Sequence, residues 1–118
     1  MERILPAMLA ITNPPAGKDS LFYNARTLVV FTVPKNAGEE TVGDAWIAAQ
    51  NMVIAAEAIP VGTCYNGFLP YAAHEYPYLK KLMEIPENEK VVTSLLLGYP
   101  GGQYLRRPHR EMMPTVWK

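Results

Sequence analysis

Residues 44–68, DAWIAAQNMVIAAEAIPVGTCYNGF, decide how the rest of this chain is read. Between Ala45 and Ile59 the only polar side chains are Gln50, Asn51 and Glu57. A helix on the surface of a globular protein keeps a broad polar face, so one that is apolar nearly all round has to be covered nearly all round. Pro60 then forbids its continuation. A chain of 118 residues builds a single core, and that core cannot easily wrap both sides of its own helix. The second side is therefore expected against another copy, in a homodimer through the Asp44–Ile59 helix. The helix runs into Val61-Gly62-Thr63-Cys64-Tyr65-Asn66-Gly67. We read this as a turn of small residues whose backbone N–H groups stay accessible, as the close approach of a ligand requires.

Working outward, Arg26–Val33 (RTLVVFTV) is a β-branched run suited to a buried strand, closed by Pro34. A loop from Lys35 to Glu40 follows. Thr41 is placed to cap the long helix, with Asp44 three residues on in a capping-box-like position. A shorter helix is expected over Tyr76–Met83, with Pro77 in its first turn. Val91–Leu97 is a second strand, apolar on both faces. Upstream, Glu2–Ile11 reads as a short helical piece joined by a turn-rich link over residues 12–17. The tail from Gly98, rich in Gly, Pro and Arg, reads as extended. Interleaved helices and central-looking strands predict an α+β domain, a sheet with helices on both faces. Two strands are few for such a sheet, so this chain looks short of them.

Composition narrows the function classes. Nearly half the residues are apolar and 19% are charged, a globular and not a disordered balance. Eleven basic residues offset eleven acidic ones, which removes the general electrostatic case for nucleic acid or an anionic membrane. One cysteine excludes an internal disulfide and a cysteine-built metal site, and fits a reducing compartment. The apolar N-terminus, MERILPAMLAI, is too short to span a bilayer and has no convincing cleavage pattern, so a cytoplasmic location is expected. His74 and His109 lie far apart without ligand-spaced partners, and no metal site is expected. Gly98-Tyr99-Pro100-Gly101-Gly102 lacks the helix and the Lys-Ser/Thr pair of a phosphate loop.

Four segments in series carry a resemblance: FYNARTLVVFT (Phe22–Thr32), AAQNMVIAAEA with GTCYNGF behind it, IPENEKVVTSLLLGYP (Ile85–Pro100) and RRPHREMMPTVWK (Arg106–Lys118). In that order and spacing the chain resembles the flavin-dependent nitroreductase family from about Leu21 to its end, with residues 1–20 peripheral to a single domain, 1–118. The resemblance implies a nitroreductase-like α/β/α sandwich and an FMN cofactor. It implies hydride transfer through flavin N5, from NAD(P)H or another donor to a nitro- or quinone-like acceptor, in ping-pong fashion. It places Cys64, Tyr65, Asn66 and Gly67 against the isoalloxazine ring, with N–H groups of the turn donating toward N5 and O4. It places Arg106 or Arg107 at the FMN phosphate, where a planar guanidinium suits the charge. No side chain is implied as a catalytic acid or base.

Relatives in that family are usually longer, with an N-terminal helical part bearing an Arg-Ser-x-Arg-like flavin-gripping motif that residues 1–20 do not resemble. Two alternatives therefore stand beside the flavoenzyme: a non-catalytic homodimer that keeps the interface helix, and a half-protein whose flavin site another chain completes.

Overall fold

The computed structural model describes residues 16–102, 105 and 109–118. The expected Glu2–Ile11 helix, most of the 12–17 link, and Arg106 and Arg107 lie outside them. Three strands and three helices follow in the order β1 (Thr27–Pro34), α1 (Glu39–Ala58), β2 (Gly62–Tyr65), α2 (Phe68–Glu75), α3 (Pro77–Leu82) and β3 (Glu89–Gly98).

The sheet is antiparallel throughout and ordered β1-β3-β2. The strand that comes last in the chain therefore lies in the middle. Its register runs from Thr27 opposite Leu97 to Phe31 opposite Thr93, then skips Val92, so that Thr32 lies opposite Val91. That extra residue is a β-bulge, which bends β3 near its start. Thr93, Ser94, Leu95 and Leu96 are buried in succession. Side chains alternate between faces along a strand, so four buried neighbours mean both faces of β3 are covered. The unbroken apolar LLL run is the sequence form of that burial.

α1 lies across all three strands and α2 packs on β3. α1 meets the sheet with Ala45, Ala49 and Ala56, and such small side chains let helix and sheet approach closely. Its large apolar residues point elsewhere: Trp46 is 45% exposed, and Ile47 and Ile54 are each 61% exposed. The helix thus has two apolar faces, one against its own sheet and one facing outward.

Three expectations change. α1 begins at Glu39, with Gly38 at the cap position and no side-chain cap bond. Thr41 lies inside the first turn, where Glu39 and Glu40 complement the positive helix end. The segment read as a turn is a short strand, β2, because β3 presents a free edge beside it. The helix α2 was not foreseen. It starts at Phe68 despite Pro70, which falls at the third helical position, where the missing N–H has no intrahelical acceptor in any case.

Candidate functional site

The chemistry that the sequence points to collects around β2. Asn66 is 3% exposed and makes four hydrogen bonds. Its N–H donates to the Ser94 carbonyl at 2.9 Å, and its carbonyl accepts from Ser94 Oγ at 3.1 Å. Its Nδ2 donates to the Leu21 carbonyl at 2.8 Å, and its Oδ1 accepts from the Phe68 N–H at 3.1 Å, starting α2. This corrects the expectation for Asn66. Its backbone N–H is committed to β3 and is not open to a ligand, and its side chain is a structural joint.

That same bond sets the direction of its neighbours. Residues in an antiparallel ladder alternate between facing the partner strand and facing away. Since Asn66 bonds β3, Cys64 and Gly62 turn toward β3 as well. Thr63 and Tyr65 turn their backbone groups to the outer edge of the sheet. The Tyr65 carbonyl is there to receive a weak contact from Cys64 Sγ at 3.5 Å. Gly67 follows, exposed, with no partner for its N–H among the described residues. A Cβ built at Gly67 would meet nothing within 4 Å. Its φ of −76° is one that any residue adopts, so what Gly67 provides is open space. Gly62 differs: a Cβ there would come within 3.2 Å of the Gly98 carbonyl, and the close strand pairing explains it.

The Tyr65 side chain is drawn to the other side of the strand from Cys64. Its ring lies 5.7 Å from that of Trp46, tilted by 41°, and its hydroxyl donates to Gln50 Oε1 at 3.2 Å. The strand edge is thereby tied to the outward face of α1. Cys64 is an exposed free thiol.

Cys64 also lines a groove of about 960 Å³ where β2 begins and β3 ends. The opposite wall is residues 22–27, just ahead of β1. This wall is braced by Asp19, whose carboxylate accepts from the N–H groups of Phe22 at 2.8 Å, Leu21 at 3.1 Å and Asn24 at 3.1 Å. The brace holds Tyr23 and Asn24 in succession at φ of 53° and 58°, a region that costs non-glycine residues of order 1 kcal/mol or more. The bond from Phe22, with those from Asn24 and Leu21, lowers the Asp19 pKa below its ordinary 3.8. A depressed folded-state pKa means the stabilisation is complete above the unfolded value and is lost as pH falls through the folded one. Acidification through the depressed Asp19 pKa, below the ordinary carboxylate range, is therefore expected to release this turn, read as faster exchange of the Phe22 and Asn24 amides. Amides that stay protected at that pH would show that Asp19 does not hold the wall.

A central strand buried on both faces, a long helix with a second apolar face, and an open strand edge beside a groove define a small α+β domain. The sequence pattern of the Nitroreductase family matches residues 3–99, and the chain belongs to that family. Solved structures agree in fold. A nitroreductase with bound FMN from Bacteroides fragilis matches with a TM-score of 0.74 at 22% identity, covering 99% of this chain and 67% of that one. An FMN-dependent nitroreductase from Clostridium difficile matches with a TM-score of 0.63 at 19% identity, covering 99% and 70%. An FMN-dependent nitroreductase from Mycobacterium smegmatis in complex with NADPH matches with a TM-score of 0.61 at 20% identity, covering 85% and 48%. The chain thus spans about half to seven-tenths of these relatives' lengths. No curated protein matches it in sequence. No described helix is long and apolar enough to cross a membrane.

Proposed function

We propose that this protein is an FMN-dependent oxidoreductase of the nitroreductase type. It would pass hydride from NAD(P)H or another donor to a small nitro- or quinone-like acceptor, as a cytoplasmic homodimer. The observation that carries the reading is the outer edge of β2 as it runs into Gly67. There an unpartnered N–H and an empty Cβ position coincide, which is what a flat ring needs in order to lie against backbone. Bound FMN supplies two-electron chemistry at its N5 atom. Tyr65 brings strand backbone to the ring, Cys64 offers it only an exposed side chain, and the Gly67 N–H donates where negative charge builds on reduction. A fixed dipole of this kind needs no rearrangement during the reaction. Asn66 serves indirectly, its backbone bonds to Ser94 holding Gly67 in place. Arg106 or Arg107 binds the phosphate.

Saturating FMN is expected to raise the melting temperature of the purified protein, with flavin absorbance retained at stoichiometric level. Changing Arg106 and Arg107 together to Ala should weaken FMN by about 2–4 kcal/mol, on the scale of charge-assisted bonds, and leave riboflavin nearly untouched. Equal losses for both ligands would remove these arginines from the site.

A cofactor-free homodimer is the second reading, favoured by the outward face of α1, which is apolar whether or not flavin is present. A colourless dimer that gains no stability from FMN would establish it over the first.

A further inference from the structure

β3 buries two adjacent hydroxyls in an otherwise apolar run, VVTSLLL: Thr93 and Ser94 are each 0% exposed. The two are not alike. Thr93 Oγ1 has no hydrogen-bond partner among the described residues, whereas Ser94 Oγ donates to the Asn66 carbonyl at 3.1 Å in a buried setting. An antiparallel ladder carried on past Tyr65 would set the Ser94 N–H on that carbonyl, answering the Asn66 N–H that donates to the Ser94 carbonyl. The chain instead leaves the strand for α2, and among the described residues no backbone N–H reaches the Asn66 carbonyl. Pro70, four residues on, has none to offer. The Ser94 hydroxyl takes the place of the missing ladder bond.

We propose that Ser94 is a positioning residue for the bound flavin, acting through the single peptide that joins Asn66 to Gly67. This rests on the flavin reading above. The Asn66 carbonyl and the Gly67 N–H belong to one planar trans peptide, in which C=O and N–H point in opposite directions. Holding the oxygen toward β3 therefore aims the Gly67 N–H away from β3, and that N–H has no partner of its own among the described residues. The bond also acts on strength. A carbonyl that accepts a hydrogen bond polarises its peptide, which makes the N–H at the other end a better donor, by about 10–30% per bond. Asn66 is buried, so water does not compete with the hydroxyl for its carbonyl. Ser94 thus touches neither flavin nor substrate. It sets where the Gly67 donor points and how strongly it meets the electron density that reduction adds to the flavin edge.

The test compares wild type, Ser94→Ala and Ser94→Cys with Thr93→Val, which removes the neighbouring buried hydroxyl of the same strand without breaking a hydrogen bond. FMN is titrated into the full chain in its oxidised and reduced forms, and the two-electron potential of the bound flavin is measured by dye equilibration. Ser94→Ala should weaken reduced FMN about tenfold more than oxidised FMN, which lowers that potential by about 30 mV. Ser94→Cys keeps a weaker donor and should fall between Ser94→Ala and wild type; it carries the comparison by itself where Ser94→Ala does not fold. Thr93→Val should leave the potential unchanged. In the flavin-free chain, the Gly67 amide proton resonance should move upfield in Ser94→Ala, as its peptide loses polarisation, and stay in place in Thr93→Val. A potential that matches wild type in the Ser94 variants, or equal losses of both redox forms, overturns the positioning role and leaves the flavin reading standing. Wild-type protein that takes up no FMN overturns both.

Discussion

Gly67→Val should remove FMN binding while the fold survives almost intact. The position is open to solvent, its φ of −76° suits any residue, and a Cβ there meets nothing. The ligand-free stability should therefore stay within about 1 kcal/mol of wild type, the usual range for exposed sites. A β-branched side chain would fill the space the flavin ring needs, and affinity should fall by at least about a hundredfold, roughly 3 kcal/mol. Asn66→Ala should do the reverse. That change leaves the Leu21 carbonyl and the Phe68 N–H without their partners in a part-buried setting, at a cost of about 1–3 kcal/mol for the two together. Whatever fraction stays folded should bind FMN with its Gly67 donor in place. Urea unfolding of both variants, with and without FMN, separates the two roles. If Gly67→Val still gains full stability from FMN, the flavin does not lie along β2.

The second large effect concerns α1. Ala49 is fully buried against the sheet, so Ala49→Glu inserts an unpaired charge into the core. Breaking a buried charge balance costs about 3–5 kcal/mol, comparable with the whole stability of a small domain, about 5–15 kcal/mol. The chain should unfold. Ile47→Glu with Ile54→Glu places two charges on the outward face instead, where single-chain stability is indifferent to them. A homodimer built on this face should then dissociate to folded monomers, seen as a halved mass in sedimentation with unchanged helical circular dichroism. A double variant that remains dimeric would place the interface elsewhere. The buried alanines cannot make this distinction, because their loss destroys the fold before it reports on association.

β1, α1 and β3 were legible because each carries a run whose burial follows from its own residues. TLVVFTV and VVTSLLL are apolar on both faces, and α1 has few polar side chains to expose. β2 was not legible. Gly-Thr-Cys-Tyr has no alternation to mark a strand, and it becomes one only because β3 offers an unpaired edge from 30 or so residues away. α2 did have a signal: Leu69 and Ala73, four apart, are its buried pair, and Asn66 stands just ahead to receive the Phe68 N–H. Pro70 hid it. In the candidate segment the sequence could not show which backbone N–H groups are already committed. Whether an N–H in a strand faces a neighbour or solvent depends on register, and a one-residue difference separates the committed Asn66 from the open Gly67.

The order β1-β3-β2 has a consequence for how the protein is made. Among the described strands every pairing is with β3, the last of the three to leave the ribosome, and Thr27 waits for Leu97. Until then the TLVVFTV strand has both edges bare and no partner to hide its apolar side chains. Closing such distant contacts pays loop entropy before any reward arrives, which slows folding. Short, strongly β-forming, uncharged segments exposed in that interval are the ones that associate between chains. Nascent copies of this protein should therefore depend on chaperones that shield extended apolar strands, and its yield on cooling should reflect the delay before β3 arrives more than the stability finally reached.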